Sequence, residues 1–114
     1  MTDCLFCSIV SGEIPADIVL RTDEVVAFRD IDPKAPVHVL VVPTEHCANV
    51  AELGASDSGA AAAVLAATGA VAAHEGVADS GYRVVFNTGA GAGQTVFHAH
   101  AHVLGGRDFT WPPG

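Results

Sequence analysis

The apolar residues of this chain fall in short runs whose spacing changes along the sequence. From Asp3 to Val10, Leu5, Phe6, Ile9 and Val10 recur at helical intervals and the run stops at Ser11-Gly12, which predicts a short helix or turn. Pro15 opens new geometry. Ile18-Val19-Leu20 and Val25-Val26-Ala27-Phe28 are β-rich runs separated by Thr22-Asp23-Glu24, a hairpin pattern, and Asp32 to Pro36 forms an irregular connector. Val37 to Val42 is the strongest strand and ends at Pro43. Ser56–Glu75 reads as one Ala-rich helix, with Ser56, Asp57 or Ser58 as N-cap and Gly76 as terminator. Tyr82 to Phe86 is a further strand. A glycine-rich loop, Asn87 to Gln94, leads into a last strand, Thr95 to Leu104, and the two strands pair as a hairpin in this reading.

About five short strands, one long helix and a short N-terminal helix, without β-α alternation, predict an antiparallel α+β sheet. The 114 residues contain no repeat or linker, so positions 1–114 are expected to form one domain. Half of the residues are hydrophobic, but aromatics are only 6% and the alanines between Ala60 and Ala73 inflate the apolar count, so the core of a monomer is expected to be marginal. With 5 Lys+Arg against 13 Asp+Glu, the net charge of −8 argues against non-specific binding to nucleic acid or to an anionic membrane. No uninterrupted apolar stretch is long enough for a transmembrane span, and Met1–Asp3 does not open a signal peptide. Three cysteines do not make a disulfide framework, which points to a reducing, cytoplasmic setting.

Composition leaves six histidines unexplained. On a strand, His98, His100 and His102 project from one face, while Phe97, Ala99, Ala101 and Val103 face the other way. Alternate strand residues are about 6.6 Å apart, so two neighbouring imidazoles could chelate one ion but all three would need distortion. A helix would bring His98 and His102 together, although the β-branched flanks and Gly105-Gly106 favour a strand. The other reading is acid–base and nucleophilic work, for which imidazole suits neutral pH. Backbone N–H groups around Gly91, Gly93, Gln94 and Thr95, with the Thr95 hydroxyl, could cradle an anion, and the combination suggests phosphorus chemistry with a histidine nucleophile.

The segment Gln94-Thr95-Val96-Phe97-His98-Ala99-His100-Ala101-His102-Val103-Leu104 resembles the signature of the histidine triad (HIT) superfamily. The likeness extends through Gly12 to Pro15, Ala27 to Ile31, Pro33 to Pro36 and His38 to Pro43, and the Trp111-Pro112-Pro113-Gly114 ending resembles its Hint branch. The resemblance implies a homodimer with joined sheets that hydrolyses purine nucleoside phosphoramidates. It makes His100 the nucleophile that forms a nucleotidyl-histidine, and His102 a donor to a phosphate oxygen. Gly93, Gln94 and Thr95 cradle the phosphate, with threonine where many members have serine. Asp30 holds the ribose hydroxyls or, on its own pattern, caps a turn. Asn87 contacts ribose and phosphate. Leu5, Phe6, Ile9, Phe28 and Ile31 line the base pocket or are simply core. His38 supports the nucleophile through a hydrogen bond or is a structural polar residue. Alternative activities are dinucleoside polyphosphate hydrolysis and non-catalytic nucleotide binding.

Cys4 and Cys7 have the spacing of two zinc thiolates, and His46 can supply a third ligand. Related bacterial proteins and galactose-1-phosphate uridylyltransferases imply the first histidine of the triad, His98, as the fourth, giving a structural Zn²⁺ site. A redox pair or two buried thiols are the competing readings, and Cys47 reads as a small buried residue.

Overall fold

The computed structural model describes residues 4–114, so the readings placed on Met1–Asp3 lie outside the described residues. Helix α1 spans Leu5–Ser11, with Cys4 as its N-cap and Gly12 at its end in the left-handed conformation, φ 88°. Strands β1, Ile18–Arg21, and β2, Val25–Arg29, form the expected hairpin. Then follow β3, Val37–Pro43, helices α2, Val50–Ser56, and α3, Ser58–His74, strand β4, Tyr82–Val85, and strand β5, Ala101–Gly105. The five strands form one antiparallel sheet in the order β1-β2-β3-β5-β4.

The Val-rich strands are buried on both faces because each face carries its own layer. Val25, Ala27, Val39, Val41, Ala99, Ala101 and Val103 pack against Leu53, Val64, Ala67 and Val71 of α2 and α3. Val26, Phe28, Leu40 and Val42 turn the other way and pack against Phe6 and Ile9 of α1. A period of two thus sends alternate residues of one run to opposite layers. The small side chains Ala99 and Ala101 let the long Ala-rich helix lie close to the sheet.

Three expectations change. The helix expected over Ser56–Glu75 is α3, and a further helix, α2, precedes it. Asn49 caps α2 by accepting from Glu52 N at 2.9 Å, and Asp57 caps α3 by accepting from Ala60 N at 3.0 Å. The last strand is shorter than Thr95 to Leu104: pairing with β3 begins at Ala101 and with β4 at His102, and a bend occupies Val96 to His98. Phe97, expected on the packed face, stands at that bend and is 52% exposed. No helix among the described residues is long and apolar enough to cross a membrane.

Candidate active site and metal cluster

The face parity of the three histidines survives although only His102 lies in the ladder. Ala99 N–H donates to Cys47 C=O at 2.6 Å, which keeps the segment before β5 extended, and Ala99, Ala101 and Val103 all enter the α3 layer. His98, His100 and His102 therefore face the α1 layer, where their rings form a row. The His100 and His102 ring centres are 5.0 Å apart, and the edge of Phe6 meets His100 at 4.9 Å.

The hydrogen-bond partners assign the tautomer of each ring, because a carbonyl only accepts and a backbone N–H only donates. His100 Nδ1 lies 2.7 Å from its neighbour's carbonyl, His98 O, so Nδ1 carries the proton and Nε2 keeps a lone pair. Lys34 N–H donates to His38 Nδ1 at 3.0 Å, so His38 carries its proton on Nε2 and donates it to His102 Nδ1 at 2.9 Å. His102 in turn holds its own proton on Nε2. Asp30 Oδ2 is 3.5 Å from His38 Nε2 and faces the proton of that bond. Burial holds His38 and His102 below the ordinary imidazole range. Burial and, next, the neighbouring His100 and His38 bring His102 down to about 4, so the ring is neutral near pH 7.

His100 and His102 open onto one cavity of about 580 Å³. Leu5, Phe6, Ile9, Phe28 and Ile31 form its apolar wall, and Asp30 and Thr95 add polar groups, so nine of the expected residues meet in one place. Ile31 is fully exposed at the mouth. Ile14, Pro15, Ala16, Leu40 and Val96 also line the cavity and were missed, since short apolar residues in a loop or strand carry no signature of a pocket.

Asp30 keeps its place and caps a turn as well, while His38, Gln94, Gly93 and Asn87 are placed differently. Asp30 does cap a turn, since its Oδ1 accepts from Asp32 N–H at 2.9 Å, and its second oxygen stays on the cavity side with His38. His38 does not reach the nucleophile candidate; its bond is to His102, because β3 pairs Leu40 with His102 and sets His38 one step further along. Gln94 is buried, its amide donating to Ala48 O and Val96 O and its carbonyl accepting from Gly89 N–H, so its side chain shapes the loop. Gly93 N–H and Gln94 N–H donate to Ala90 O and Gly89 O inside the loop, which turns two of the expected anion donors inward. Neither Asn87, Gly93 nor Gln94 is among the residues lining the cavity.

The fourth histidine face belongs to a second cluster. His98 is fully buried, and its Nε2–H donates to Pro43 O at 2.8 Å, so its free lone pair is on Nδ1. That atom lies 3.3 Å from Cys4 Sγ, 3.5 Å from Cys7 Sγ and 3.2 Å from His46 Nδ1, and Cys7 Sγ lies 3.5 Å from His46 Nδ1. The four side chains form a cluster able to hold a metal ion. Asp30, His38 and His102 also gather, but the proton between their two rings and the Lys34 N–H on His38 leave no pair of lone pairs for a cation. Cys47 is buried and donates to Glu52 Oε1 at 3.4 Å, with burial first and Glu52 second in pushing its thiol pKa up.

An antiparallel sheet in an α+β fold, carrying aligned imidazoles over a cavity of about 580 Å³, defines the class, and the comparisons agree with it. The HIT domain family model matches residues 11–109, and the chain belongs to this family. It is 49% identical over 112 residues to an uncharacterised HIT-like protein of Synechococcus elongatus, covering 98% of this chain and 97% of the relative. It is 41% identical over 105 residues to the purine nucleoside phosphoramidase of Escherichia coli K12, covering 92% of this chain and 88% of that enzyme. A HIT family hydrolase from Legionella pneumophila superposes with a TM-score of 0.94 at 47% identity, over 98% of this chain and all of that one.

Proposed function

We propose that this protein hydrolyses purine nucleoside phosphoramidates through a covalent intermediate on His100. The observation that carries the reading is the pair of tautomers on one cavity wall: a lone pair on His100 Nε2 beside an N–H on His102 Nε2. His100 Nε2 attacks the α-phosphorus, the P–N bond breaks, and the leaving nitrogen takes a proton from solvent water and departs as an amine. Water then cleaves the phosphorus–histidine bond and releases the nucleoside monophosphate. His102 Nε2–H and the Thr95 hydroxyl donate to the phosphoryl oxygens, whose charge spreads in the transition state. Asp30 receives the ribose hydroxyls, and the purine lies on Leu5, Phe6, Ile9, Phe28 and Ile31. The Gly93 and Gln94 backbone contributes by shaping the loop below Thr95. The E. coli phosphoramidase at 41% identity supports the choice of bond.

The metal of the second cluster is, in this proposal, a structural zinc held by Cys4, Cys7, His46 and His98. Bonds of about 2.3 Å to sulfur and about 2.0 Å to nitrogen place tetrahedral N and S ligands about 3.5 Å apart and two nitrogens about 3.3 Å apart. The spacings of 3.3, 3.5 and 3.2 Å fit that frame. With all four positions taken by side chains, zinc supplies cross-linking and no chemistry on substrate. The working unit is proposed as a single domain over positions 1–114, dimeric and cytoplasmic. The open edge of β4 and the outer face of α3, where Leu65 is 59% exposed and no charge stands between Asp57 and His74, support self-association.

Rapid quench with adenosine phosphoramidate labelled at phosphorus tests the mechanism. Label should appear on His100 within the first turnover. Turnover with no protein-bound label at any time point would instead mean direct attack by water.

A further inference from the structure

Helix α1 serves both sites at once. Cys4 and Cys7 belong to the metal cluster, and the residues between and after them, Leu5, Phe6 and Ile9, form the apolar wall of the cavity. The Phe6 ring is seated between the two sites: its edge contacts reach His100 at 4.9 Å, Phe28 at 5.5 Å and the metal-cluster residue His98 at 6.0 Å. His98 adds a second link, since its ring faces the thiols while its carbonyl fixes the proton on His100. In the cluster, the ring nitrogen of His98 presents its lone pair to two sulfurs and a second ring nitrogen, all within 3.5 Å. A cation there would tie the first turn of α1, in which Ser8 N–H donates to Cys4 O at 3.1 Å and Cys7 N–H to Cys4 Sγ at 3.4 Å, to the segment that carries His98.

We infer that metal occupancy at Cys4, Cys7, His46 and His98 and nucleotide binding in the cavity are positively coupled through α1. The inference rests on the nucleotide reading of the cavity given above. Zinc fixes the helix that forms the base wall, so it tightens nucleotide binding; a bound base packs Leu5, Phe6 and Ile9 against Phe28 and Ile31, so it retains zinc. Linkage requires the two factors to be equal, because each measures the same coupling free energy.

The test uses the zinc-loaded protein, with AMP as the probe. AMP affinity is measured by calorimetry on loaded and chelator-stripped protein. Zinc affinity is measured on the folded, loaded protein by competition with a chromogenic chelator, with and without saturating AMP. The expected result is a change of about tenfold in both, within the usual span of such coupling. A change of less than twofold in zinc affinity overturns the inference even if the stripped protein unfolds. A Phe6→Leu variant that still binds one equivalent of zinc should show coupling reduced to about threefold or less, and full coupling in that variant overturns the role of the ring. If AMP fails to bind the loaded protein, the nucleotide reading and the coupling fall together. If AMP binds and phosphoramidate turns over while zinc affinity stays constant, the coupling alone falls.

Discussion

His98 and His102 stand four residues apart on one extended segment, and the protein prepares them for opposite tasks. Both rings are neutral by burial, and in both a partner fixes one nitrogen and leaves the other to the site. The Pro43 carbonyl takes the Nε2 proton of His98 and turns a lone pair toward two thiols. The His38 proton occupies Nδ1 of His102 and turns an N–H toward the cavity. Between them, the His98 carbonyl holds Nδ1–H of His100 and leaves the lone pair on Nε2, the atom to which the proposed function gives the attack. In the proposed function, the group behind each ring is what makes three chemically identical side chains a ligand, a nucleophile and a donor.

Several experiments break or sharpen this contrast. The largest effect is expected for His100→Ala, which should lower phosphoramidate turnover by at least about 10⁴-fold while zinc stays at one equivalent. Activity within tenfold of the parent, alongside full zinc content, would remove the nucleophile assignment. Cys7→Ser should do the reverse, abolishing zinc binding and lowering Tm by about 10 °C or more, since metal binding to a closed site is coupled to folding. Scanning calorimetry with elemental zinc analysis reads both quantities.

A smaller effect belongs to His38, which in the proposed function touches no substrate and works through its hydrogen bond to His102. His38→Ala should lower kcat by about 10² with zinc content unchanged, and His38→Asn should recover part of it by keeping a polar side chain behind the ring. Equal losses in the two variants would argue that His38 only fills space. The smallest concerns stability against pH. Native His102, held down to about 4, stays neutral while the unfolded chain takes up a proton near the ordinary value of 6.5. Its contribution is therefore fully present above about pH 6.5 and is lost as pH falls toward 4. Denaturant unfolding at pH 7.5 and 5.0 should show the parent losing about 2 kcal/mol more than His102→Gln. Parallel losses in the two proteins would mean that the ring titrates normally in the fold.

Much of this was legible from period alone. Val25 to Phe28 and Val37 to Val42 predict strands, and the alternation of His with Ala predicts that three imidazoles share a face, a parity that persists even where the ladder has stopped at Ala101. Helix α2 was missed because it is seven residues long and contains Gly54, although Asn49 followed by Glu52 three positions on is a capping signal that could have found it. The partner of His38 was misread because strand register, which no single sequence states, sets it beside His102. The inward turn of Gly93 N–H and Gln94 N–H was hidden for a related reason: a glycine-rich loop can close on itself or on an anion, and only Gln94 reaching back to Ala48 selects the first. The cavity wall needed a distant helix, α1, to be brought beneath β2 and β3, and this depends on packing that period does not encode.

Gln94 has a consequence for binding thermodynamics. Its three hydrogen bonds, to Gly89, Val96 and Ala48, give the loop its shape without any guest. A ligand reaching Thr95 therefore meets a scaffold that is already organised, and the conformational entropy of ordering that loop is charged to folding and not to association. Exchange of small phosphate compounds can then be fast without being loose, since no part of this loop has to close before the ligand is held or open before it leaves.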